Sequence, residues 1–410
     1  MPETPPPGAE PLDPVPAPRV LLAGGGTAGH VNPLLATAAA LRDPALGGRE
    51  EAGILVLGTA EGLEAGLVPE AGFDMAVVPR VPMPRRPTGD LFMLPRRLSR
   101  AVGAAGEAIE AVDAQVVVGF GGYVSTPAYL AARRAGVPVV IHEQNARPGL
   151  ANRLGASWAA AVALTFASTP LRSSKGRTEV TGLPLRPAIG ELVARLAEPD
   201  GAAAARRSGA AALGLDPQAP TVLITGGSLG AQRLNEVLAA ALPSLSPDLQ
   251  VLHLTGRDKD GPVRAAVEAA VAAGADPGLA ERYHVLDYLV AMEQAYACAD
   301  GVICRSGAGT VAELTALGLP ALYVPLPIGN GEQRLNAADV VAAGGGRLVA
   351  DARLTAADVV DFTALLTRPA ERGAMAAAAA STGVRDGARR LADLIRTVAR
   401  EGSPSPRRKA

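Results

Sequence analysis

The sequence repeats one pattern in its two halves, and this doubling limits the possible folds more than any other feature. Residues 19–41 read RVLLAGGGTAGHVNPLLATAAAL, and residues 221–242 read TVLITGGSLGAQRLNEVLAAAL. Each stretch has an apolar strand, a glycine turn with a hydroxyl residue, and then a helix. VVVGFGGYVSTPAYLAARRAGVPVV and GVICRSGAGTVAELTALGLPALYV form a second pair with a shared order of elements. The doubling predicts two similar doubly wound domains that face each other across a cleft.

Short apolar runs alternate with Ala-rich helical stretches along the chain. This alternation predicts the α/β class, with parallel sheets covered by helices on both faces. A chain of 410 residues exceeds the roughly 250–300 residues at which one core stops growing, so we expect two domains. The predicted strands are residues 20–23, 53–57, 116–118, 137–142, 161–164, 221–225, 249–255, 283–285, 301–304 and 321–324.

The composition argues against several classes of protein. A formal net charge of -1 disfavours bulk nucleic-acid binding, which needs a large basic surface. Cys298 and Cys304 lack disulfide or metal-site spacing, and we interpret both as buried apolar residues in a reducing compartment. The Pro-rich start has no apolar signal segment and no run of about 18 apolar residues exists, so neither secretion nor a membrane span is predicted. Residues 1–18 and 401–410 are expected to be disordered tails.

Four glycine-containing loops follow predicted strands, at residues 24–29, 119–122, 226–230 and 306–309. Loops of this kind expose backbone N–H groups at a helix N-terminus, where they can bind the oxygens of an anionic ligand. A single loop fits a simple tight turn equally well. Two matching pairs of loops favour a binding site for an oxygen-rich ligand.

The first loop also allows a dinucleotide-binding interpretation. Gly24, Gly26 and Gly29 stand in GxGxxG register, and acidic residues follow at about the distance of a ribose contact. However, the loop continues into His-x-Asn-Pro, an unusual polar start to a helix, and no hydride-acceptor site is evident. A nicotinamide enzyme is therefore disfavoured. The acidic residues concerned are Glu50, Glu51 and Glu61.

Two polar residues of the first half are candidates for sugar chemistry. His30 lies just inside the first helix, whose N-terminus disfavours the imidazolium, so a neutral ring can act as general base for a sugar hydroxyl. The alternative is a helix-start histidine that bonds the backbone. Asn145 ends the segment His-Glu-Gln-Asn after a strand, where ligands bind in such folds, and its amide suits a sugar hydroxyl or acetamide. The alternative is a cluster that caps its own loop.

Four residues of the linker and second half are candidates for nucleotide binding. Ser228 can offer its hydroxyl to a phosphate, although it also fits a helix N-cap. Arg186 and Arg305 are candidate partners of a diphosphate, the alternative being ordinary surface arginines. Glu313 lies one turn into the helix after the fourth loop, where its carboxylate can accept two vicinal ribose hydroxyls. The alternative is a favourable acid near a helix start.

Residues 77–102 interleave arginines with apolar side chains. Such a segment can lie in an anionic membrane interface, with its apolar side inward and its arginines at the headgroups. The alternative is a solvated loop–helix pair. The residues concerned are Arg80, Arg85, Arg86, Arg96, Arg97 and Arg100, with Met83, Leu91, Phe92, Met93 and Leu94.

Together these motifs resemble the MurG family of peptidoglycan-building N-acetylglucosaminyltransferases, in glycosyltransferase family 28, over about residues 19–400. The resemblance implies a GT-B fold with two Rossmann-like doubly wound parallel-sheet domains facing a cleft. It implies an acceptor- and membrane-side domain at 19–186, a UDP-sugar-binding domain at 187–375, and a helix at 376–400 that returns to the first domain. The matching segments are GGGTAGHVNP, GFGGYVSTP, HEQNARPGLANR, TGLPLR, TGGSLGAQRLN, HLTG, AYACADGVICRSGAGTVAEL, GLPALYVPLP and EQRLNA.

The resemblance also implies a reaction and its partners. N-acetylglucosamine (GlcNAc) passes with inversion from UDP-GlcNAc to the 4-hydroxyl of the muramyl sugar of undecaprenyl-diphospho-N-acetylmuramoyl-pentapeptide (lipid I), giving lipid II. The enzyme would act peripherally at the cytoplasmic face of the bacterial cell membrane, through residues 80–100. No metal or other cofactor is implied, because helix dipoles and N–H groups would stabilise the departing UDP. The resemblance implies no nucleic-acid partner either.

Carried over motif by motif, the resemblance implies roles for single residues. His30 is the catalytic base or an acceptor-site residue, and Tyr123 belongs to the acceptor side. Asn145 and Gln333 hold the GlcNAc. The other donor-site residues are Thr27, Ala28 and Gly29 near the reacting centre, Arg186 and Ser228 at the UDP phosphates, Ala308, Gly309, Thr310 and Glu313 at the sugar and nucleoside, with Glu313 on the ribose, and Leu289 with its backbone at the uracil.

The sequence departs from the family pattern in a few places. It has Ala28 where the family often has glycine, HLTG for HQTG, and Glu-Gln for Gln-Gln near the sugar. One rival interpretation is a GT-B enzyme acting on another lipid or a natural product, which the HEQN and EQRLNA segments disfavour. A second rival is a non-catalytic nucleotide-sugar-binding protein, which the intact set of His30, Asn145, Glu313 and Gln333 disfavours.

Overall fold

The computed structural model describes residues 17–81, 90–227, 231–274 and 276–402, with residues 90–93 described in the backbone only. Within these ranges the strands form two parallel sheets, of seven and six strands. The first sheet contains β1 (Arg19–Ala23), β2 (Gly53–Gly58), β3 (Asp74–Val77), β4 (Val116–Gly119), β5 (Val139–Glu143), β6 (Ala161–Leu164) and β7 (Arg177–Val180). The second contains β8 (Thr221–Thr225), β9 (Gln250–Leu254), β10 (Tyr283–Leu286), β11 (Gly301–Cys304), β12 (Ala321–Tyr323) and β13 (Gly346–Leu348).

Helices connect the strands and cover both faces of each sheet. Those between the strands of the first sheet are α1 (Ala28–Arg42), α2 (Glu64–Glu70), α3 (Asp90–Ala111), α4 (Ser125–Ala135) and α5 (Leu150–Gly155). Those that follow are α6 (Pro187–Leu196), α7 (Gly201–Leu213), α8 (Gln232–Ala241), α9 (Asp260–Ala272), α10 (Leu279–Arg282), α11 (Met292–Cys298), α12 (Ala308–Leu317), α13 (Glu332–Asn336), α14 (Ala338–Ala342), α15 (Ala356–Leu366), α16 (Pro369–Ser381) and α17 (Gly387–Gly402).

The two sheets share one strand order, which confirms the doubling seen in the sequence. The first sheet runs β3-β2-β1-β4-β5-β6-β7, and the second runs β10-β9-β8-β11-β12-β13. In each half the opening strand lies in the middle, with the next two strands on one side and the later ones on the other. This is the doubly wound order, which opens a crevice for ligands where the direction of winding reverses, at the carboxyl ends of the central strands.

Both sheets are buried on their two faces, as parallel sheets require. In the first sheet, Val20 and Val118 belong to the apolar core that also contains residues of α1 and α17. On the opposite face, Val117 and Ile141 belong to a core with residues of α3 and α4. Every residue of the central strands β4 and β8 is buried. These cores hold the glycine loops of each half at a fixed edge of its sheet.

The helix that returns to the first half begins later than the predicted bounds 376–400. Residues 382–386 separate α16, which packs in the second half, from α17. The break coincides with Gly383, where an added Cβ would lie 2.2 Å from the Thr315 carbonyl oxygen. From there α17 crosses to the first half and packs on α1. The division into domains at residues 186 and 187 stays a prediction, and most of both predicted tails lies outside the described residues.

The predicted strands are all present, and three further strands, β3, β7 and β13, lie at the edges of the sheets. Among the residues that the structure describes, no helix is long and apolar enough to cross a membrane. The backbone of residues 90–100 lies within α3, and the preceding part of the arginine-rich segment, residues 82–89, lies outside the described ranges.

Candidate active site

The first glycine loop joins β1 to α1 and presents His30 on the first turn of that helix. Nδ1 of His30 lies 3.2 Å from the Gly25 carbonyl oxygen and 3.1 Å from the Thr27 hydroxyl oxygen. A carbonyl oxygen can only accept, so this contact favours the tautomer that carries its proton on Nδ1. The lone pair of Nε2 is then the position at which His30 can accept a proton.

The loop after β4 lies against the first loop on the side of Nε2. An added Cβ at Gly121 would lie 3.1 Å from Nε2 of His30, and one at Gly122 would lie 2.6 Å from the Gly25 carbonyl oxygen. The φ angles of these two glycines are +90° and +82°, a range that L side chains rarely adopt. Only glycines therefore allow this close approach, and they leave space beside Nε2.

The protonation state of His30 suits a base. Burial lowers the pKa of His30 below its usual value of 6.5, and this effect outweighs the opposing influence of the Gly25 carbonyl and of the Glu64 carboxylate. At neutral pH the ring is therefore mainly uncharged and has a lone pair to offer. The sequence prediction of a neutral ring relied on the helix N-terminus, whereas the structure adds burial as the main cause.

Glu64, the first residue of α2, is a buried carboxylate under the first loop that the sequence analysis missed. It accepts hydrogen bonds from Gly26 N–H and Thr59 N–H, both at 2.9 Å, and from the Thr59 hydroxyl at 2.7 Å. Burial alone would raise the pKa of Glu64, but these hydrogen bonds outweigh burial and lower it. Glu64 is therefore ionised. The acids considered from the sequence are all exposed: Glu50, Glu51 and Glu61.

A side chain of the second half holds the loop after β5. Asn336, buried at the end of α13, accepts a hydrogen bond from Ala146 N–H at 2.8 Å and donates to the Asn145 side-chain oxygen at 3.2 Å. Its amide nitrogen also lies 3.3 Å from the Ser306 carbonyl oxygen. Asn336 thus links the predicted sugar-binding residue Asn145 to the fourth glycine loop, and it was also missed from the sequence.

Arg186 and Glu313 lie together although the sequence predicts them on different parts of the donor. Nε and Nη2 of Arg186 donate to the two carboxylate oxygens of Glu313 at 2.8 and 3.1 Å, and the Tyr296 hydroxyl donates to the same carboxylate at 3.1 Å. Burial would lower the pKa of Arg186, but the bonds and charge of Glu313 raise it. The pair joins the start of α6 to α12, which carries Glu313.

Arg305 has its charge balanced inside the second half. Its Nη1 contacts Asp351 at 2.5 Å and also donates to the Val324 and Pro325 carbonyl oxygens at 3.1 and 3.3 Å. The guanidinium thereby connects the ends of β11 and β12 to the segment after β13. In this arrangement Arg305 has a structural role, and its predicted role at a diphosphate stays a prediction.

The other predicted residues that the structure describes lie at the carboxyl edges of the two sheets. Thr27, Ala28 and Gly29 are exposed at the start of α1. Tyr123 is 39% exposed, with the Arg80 guanidinium 5.3 Å from the centre of its ring. The residues of the second half are placed as follows: Leu289 half-buried after β10, Ala308, Gly309 and Thr310 in the first turn of α12, Gln333 with its side-chain oxygen 2.9 Å from Leu326 N–H, and Ser228 outside the described residues.

Other titratable groups have structural roles. Burial lowers the pKa of His142 to about 4 and that of His253 to about 3, so both rings are uncharged core residues. Glu143 is buried and accepts hydrogen bonds from Gly149 N–H at 3.0 Å and Asn152 at 2.9 Å, which shape the loop after β5. Both cysteines are free and buried. Within the described ranges, no group of three or more His, Cys, Asp or Glu side chains could hold a metal ion.

The fold and the residues between its halves define a GT-B glycosyltransferase. Residues 20–164 match the glycosyltransferase family 28 N-terminal domain, and residues 221–391 match the glycosyltransferase family 28 C-terminal domain. The chain belongs to glycosyltransferase family 28. The resemblance inferred from the sequence motifs is thereby confirmed.

Relatives with established names are similar over most of this chain. A UDP-N-acetylglucosamine--N-acetylmuramyl-(pentapeptide) pyrophosphoryl-undecaprenol N-acetylglucosamine transferase of Bifidobacterium longum (strain DJO10A) is 51% identical over 345 residues, 82% of this chain and 86% of the relative. The enzyme of the same name from Clavibacter michiganensis subsp. michiganensis is 50% identical over 392 residues, 95% of this chain and 99% of the relative.

Solved structures agree with this assignment. The crystal structure of Acinetobacter baumannii MurG matches with a TM-score of 0.70 and 28% identity, covering 93% of this chain and 99% of that one. A UDP-GlcNAc 2-epimerase from Neisseria meningitidis, solved with UDP-GlcNAc bound, matches with a TM-score of 0.63 and 15% identity, covering 91% and 98%. The epimerase shares the fold alone.

Proposed function

We propose that this chain transfers GlcNAc from UDP-GlcNAc to the muramyl sugar of lipid I, with inversion at the anomeric carbon, and so makes lipid II. The names of the half-identical relatives support the substrates. The proposed chemistry rests on the surroundings of the neutral His30 ring. Its Nδ1 donates a hydrogen bond to the Gly25 carbonyl oxygen, and its Nε2 borders a space between two glycine loops.

In the proposed reaction, the 4-hydroxyl oxygen of the muramyl sugar attacks the anomeric carbon of GlcNAc. Its proton passes to Nε2 of His30, and the bond from the anomeric carbon to the phosphate oxygen breaks, so that UDP leaves with the electron pair. A positioned base of this kind contributes about 10²–10⁴-fold to the rate. The other proton remains on Nδ1, which donates to the Gly25 carbonyl oxygen and so keeps the ring oriented throughout.

The donor is proposed to bind in the second half. The start of α12 has no side-chain cap, so the N–H groups of its first turn, at Ala308–Thr310, are open to an oxygen-rich ligand. Glu313 offers its carboxylate to the ribose hydroxyls. Arg186 contacts Glu313 through Nε and Nη2, which leaves Nη1 for a phosphate oxygen. Arg186 and Glu313 would thus bind neighbouring parts of UDP while remaining paired.

The GlcNAc is proposed to lie between the halves, where Asn145 and Gln333 supply amide groups. The Asn145 side-chain oxygen accepts a hydrogen bond from the Asn336 amide. Hydrogen bonds from Asn336 and from Leu326 N–H hold the amides of Asn145 and Gln333 in place. A sugar hydroxyl would replace or share these bonds. Such preorganisation lowers the entropic cost of binding. Tyr123, which is exposed on the first half, is proposed to contact the acceptor.

The direct test of this function is the release of UDP from UDP-GlcNAc with and without a lipid I analogue. We expect release that depends on the acceptor, and a disaccharide product with a β-linkage, the inverted configuration. A matched reaction with a natural-product or diacylglycerol acceptor tests the rival glycosyltransferases. Turnover that does not respond to the lipid I analogue contradicts the proposed function.

The lipid acceptor requires contact with a membrane, and we propose the cytoplasmic face, met peripherally through residues 80–100. Arg80, Arg96 and Arg100 are exposed. Leu150 and Leu154, on α5, add apolar side chains that are 69% and 46% exposed. Helices α3 and α5 both pack on α4, which puts the arginines and the leucines on the same side of the first sheet.

Replacing Phe92, Met93 and Arg96 with alanine is expected to weaken binding to anionic vesicles by about a hundredfold or more, since each apolar side chain that enters the membrane and each headgroup contact contributes about 1 kcal/mol or more. Sedimentation with phosphatidylglycerol vesicles measures this change, and turnover with a soluble acceptor should be spared. Arg207→Ala, an exposed arginine of α7, is the control and should sediment like the wild type. Unchanged sedimentation of the triple variant rules out this surface.

A further inference from the structure

Three glycines make room for the Glu64 side chain beneath the first loop. An added Cβ at Gly25 would lie 2.4 Å from a carboxylate oxygen of Glu64, one at Gly62 would lie 2.2 Å from the carboxylate, and one at Gly58 would lie 2.6 Å from its Cγ. Real Cβ atoms essentially never approach so closely. The three glycines therefore leave a small pocket for the fully buried Glu64 side chain, directly behind the loop that carries His30.

This pocket also supplies the hydrogen bonds that a buried anion needs. Gly26 N–H, Thr59 N–H and the Thr59 hydroxyl all point to the Glu64 oxygens. As the first residue of α2, Glu64 also lies at the positive end of a helix. A buried carboxylate without such partners would be strongly destabilised in its charged form and would instead become protonated. Here the charge is retained, so it is available to act on its surroundings.

We propose that Glu64 is a positioning residue of the transfer, which fixes the first glycine loop and places a negative charge behind His30. The inference rests on the proposed role of His30 as base. The carboxylate binds Gly26 N–H, one residue from the Gly25 carbonyl that orients Nδ1. Through this short connection it sets the direction of the imidazole ring without touching the substrate.

The same carboxylate disfavours binding of the donor nucleotide at the first loop. Gly26 N–H is one of the groups that a phosphate would need at this helix start, and Glu64 already occupies it. A phosphate here would also face a buried negative charge, and like charges in a poorly solvated site repel strongly. At the Gly26 end of the first loop, Glu64 thereby favours a neutral sugar hydroxyl over a phosphate, in keeping with the proposed binding of the donor UDP in the second half.

The charge also favours the proton transfer itself. When Nε2 accepts the proton of the acceptor hydroxyl, the ring becomes an imidazolium, and the nearby Glu64 carboxylate stabilises this positive charge. Of the ionisable groups in the described residues, Glu64 is the one whose charge acts appreciably on His30. Its loss should therefore weaken His30 as a base as well as loosen the loop.

The test replaces Glu64 with glutamine in the full chain, with Glu70→Gln, an exposed residue at the end of the same helix, as matched control. Glutamine has nearly the same shape, but its NH₂ group cannot accept from Gly26 N–H and it carries no charge. We expect kcat with a lipid I analogue to fall about a hundredfold, as for a misplaced catalytic group, with KM for UDP-GlcNAc unchanged. Glu70→Gln should match the wild type.

The pH profile separates positioning from a general loss of structure. With the charge of Glu64 removed, the pKa of His30 falls, so the acidic limb of kcat/KM moves to lower pH. NMR titration follows the same change without any substrate, because the chain has only four histidines and the other three act as internal references. This readout stands even if lipid I proves not to be the acceptor, so failure of the proposed function and failure of this inference are distinguishable.

An acidic limb and a His30 titration that do not move in Glu64→Gln would overturn the proposal, as would a kcat within twofold of the wild type. Should that variant not fold by circular dichroism, Thr59→Ala replaces it, since it removes one hydrogen bond to the carboxylate and keeps the charge. We then expect kcat to fall about three- to tenfold at constant KM, the effect of one hydrogen bond. An unchanged kcat in Thr59→Ala also overturns the proposal.

Discussion

Replacing His30 with alanine is expected to lower kcat by about 10²–10⁴-fold and to leave KM for UDP-GlcNAc within about twofold, because the ring acts on the acceptor hydroxyl in the transition state. The donor groups, Arg186 and Glu313, lie in contact with each other and make no contact with His30 in the structure. Steady-state kinetics with a lipid I analogue, together with UDP-GlcNAc binding by titration, measure the two quantities separately.

His284→Ala serves as the control for this variant. His284 is half-buried in β10 of the second half, and its loss should change kcat by less than about twofold. Equal losses of kcat and of donor affinity in His30→Ala would contradict a base role and would instead indicate a residue that holds the donor.

The same assignment fixes the pH dependence of the wild type. Neutral His30 is the active form, and burial holds the pKa of His30 below 6.5. Activity should therefore be retained through pH 6.5 and fall only as the pH drops through this lowered pKa. The acidic limb should be absent from the residual activity of His30→Ala.

Replacing Glu313 with glutamine is expected to raise KM for UDP-GlcNAc by about 10- to 100-fold, since hydrogen bonds to a charged group contribute about 1.5–3 kcal/mol. Glu313 is 7% exposed, and its carboxylate also accepts hydrogen bonds from Arg186 and Tyr296. Glutamine keeps one acceptor oxygen for them, but the guanidinium then lacks its counter-charge. Binding of UDP measured by calorimetry should weaken by a similar factor, with a smaller change in kcat.

Glu293→Gln is the matched control because Glu293 also raises the pKa of Arg186 by its charge. It is part of α11 and is not a predicted ribose contact. If both variants weaken UDP binding equally, the effect comes from the field at Arg186 and not from contact of Glu313 with the ribose. Thermal unfolding of both variants shows whether the loss of the ion pair also destabilises the fold.

The central part of the fold was predictable because its strands are short apolar runs followed by glycine loops. The strands missed from the sequence, β3, β7 and β13, read DMAV, RTEV and GRL. All three lie at sheet edges, where one side of the strand has no neighbour and exposed or charged side chains are tolerated. Their structure depends on pairing with an inner strand, and the local pattern carries little sign of it.

The positions of the candidate residues in the fold were predictable from the sequence, whereas their contacts were not. The motifs placed His30, Asn145 and Glu313 at the carboxyl edges of their sheets, where the structure has them. The sequence did not indicate that Arg186 pairs with Glu313, or that Arg305 pairs with Asp351. These partners are 127 and 46 positions apart, so only the folded chain brings them together.

Asn336 and Glu64 were not predicted from the sequence, for two different reasons. Asn336 lies within the quoted segment EQRLNA, but its contacts with Asn145 and Ala146 cross between the halves and have no local signal. Glu64 has a local signal, since Gly58 and Gly62 precede it within a short stretch. In this chain these glycines make room for the Glu64 side chain, a pattern that differs from that of an acid expected to bind a ribose.

Helix α17 has a consequence for the way the chain is made. Its side chains Leu391, Ile395 and Val398 belong to the same apolar core as Val20, and Arg396 donates to the Leu46 carbonyl oxygen, 350 positions away. In a nascent chain, the part of this face that α17 covers is therefore exposed at first, while α1 already covers the rest. That part stays exposed while the whole second half is synthesised, and it is covered when residues 387–402 emerge. The core of the first half is consequently complete only after the second half has been made.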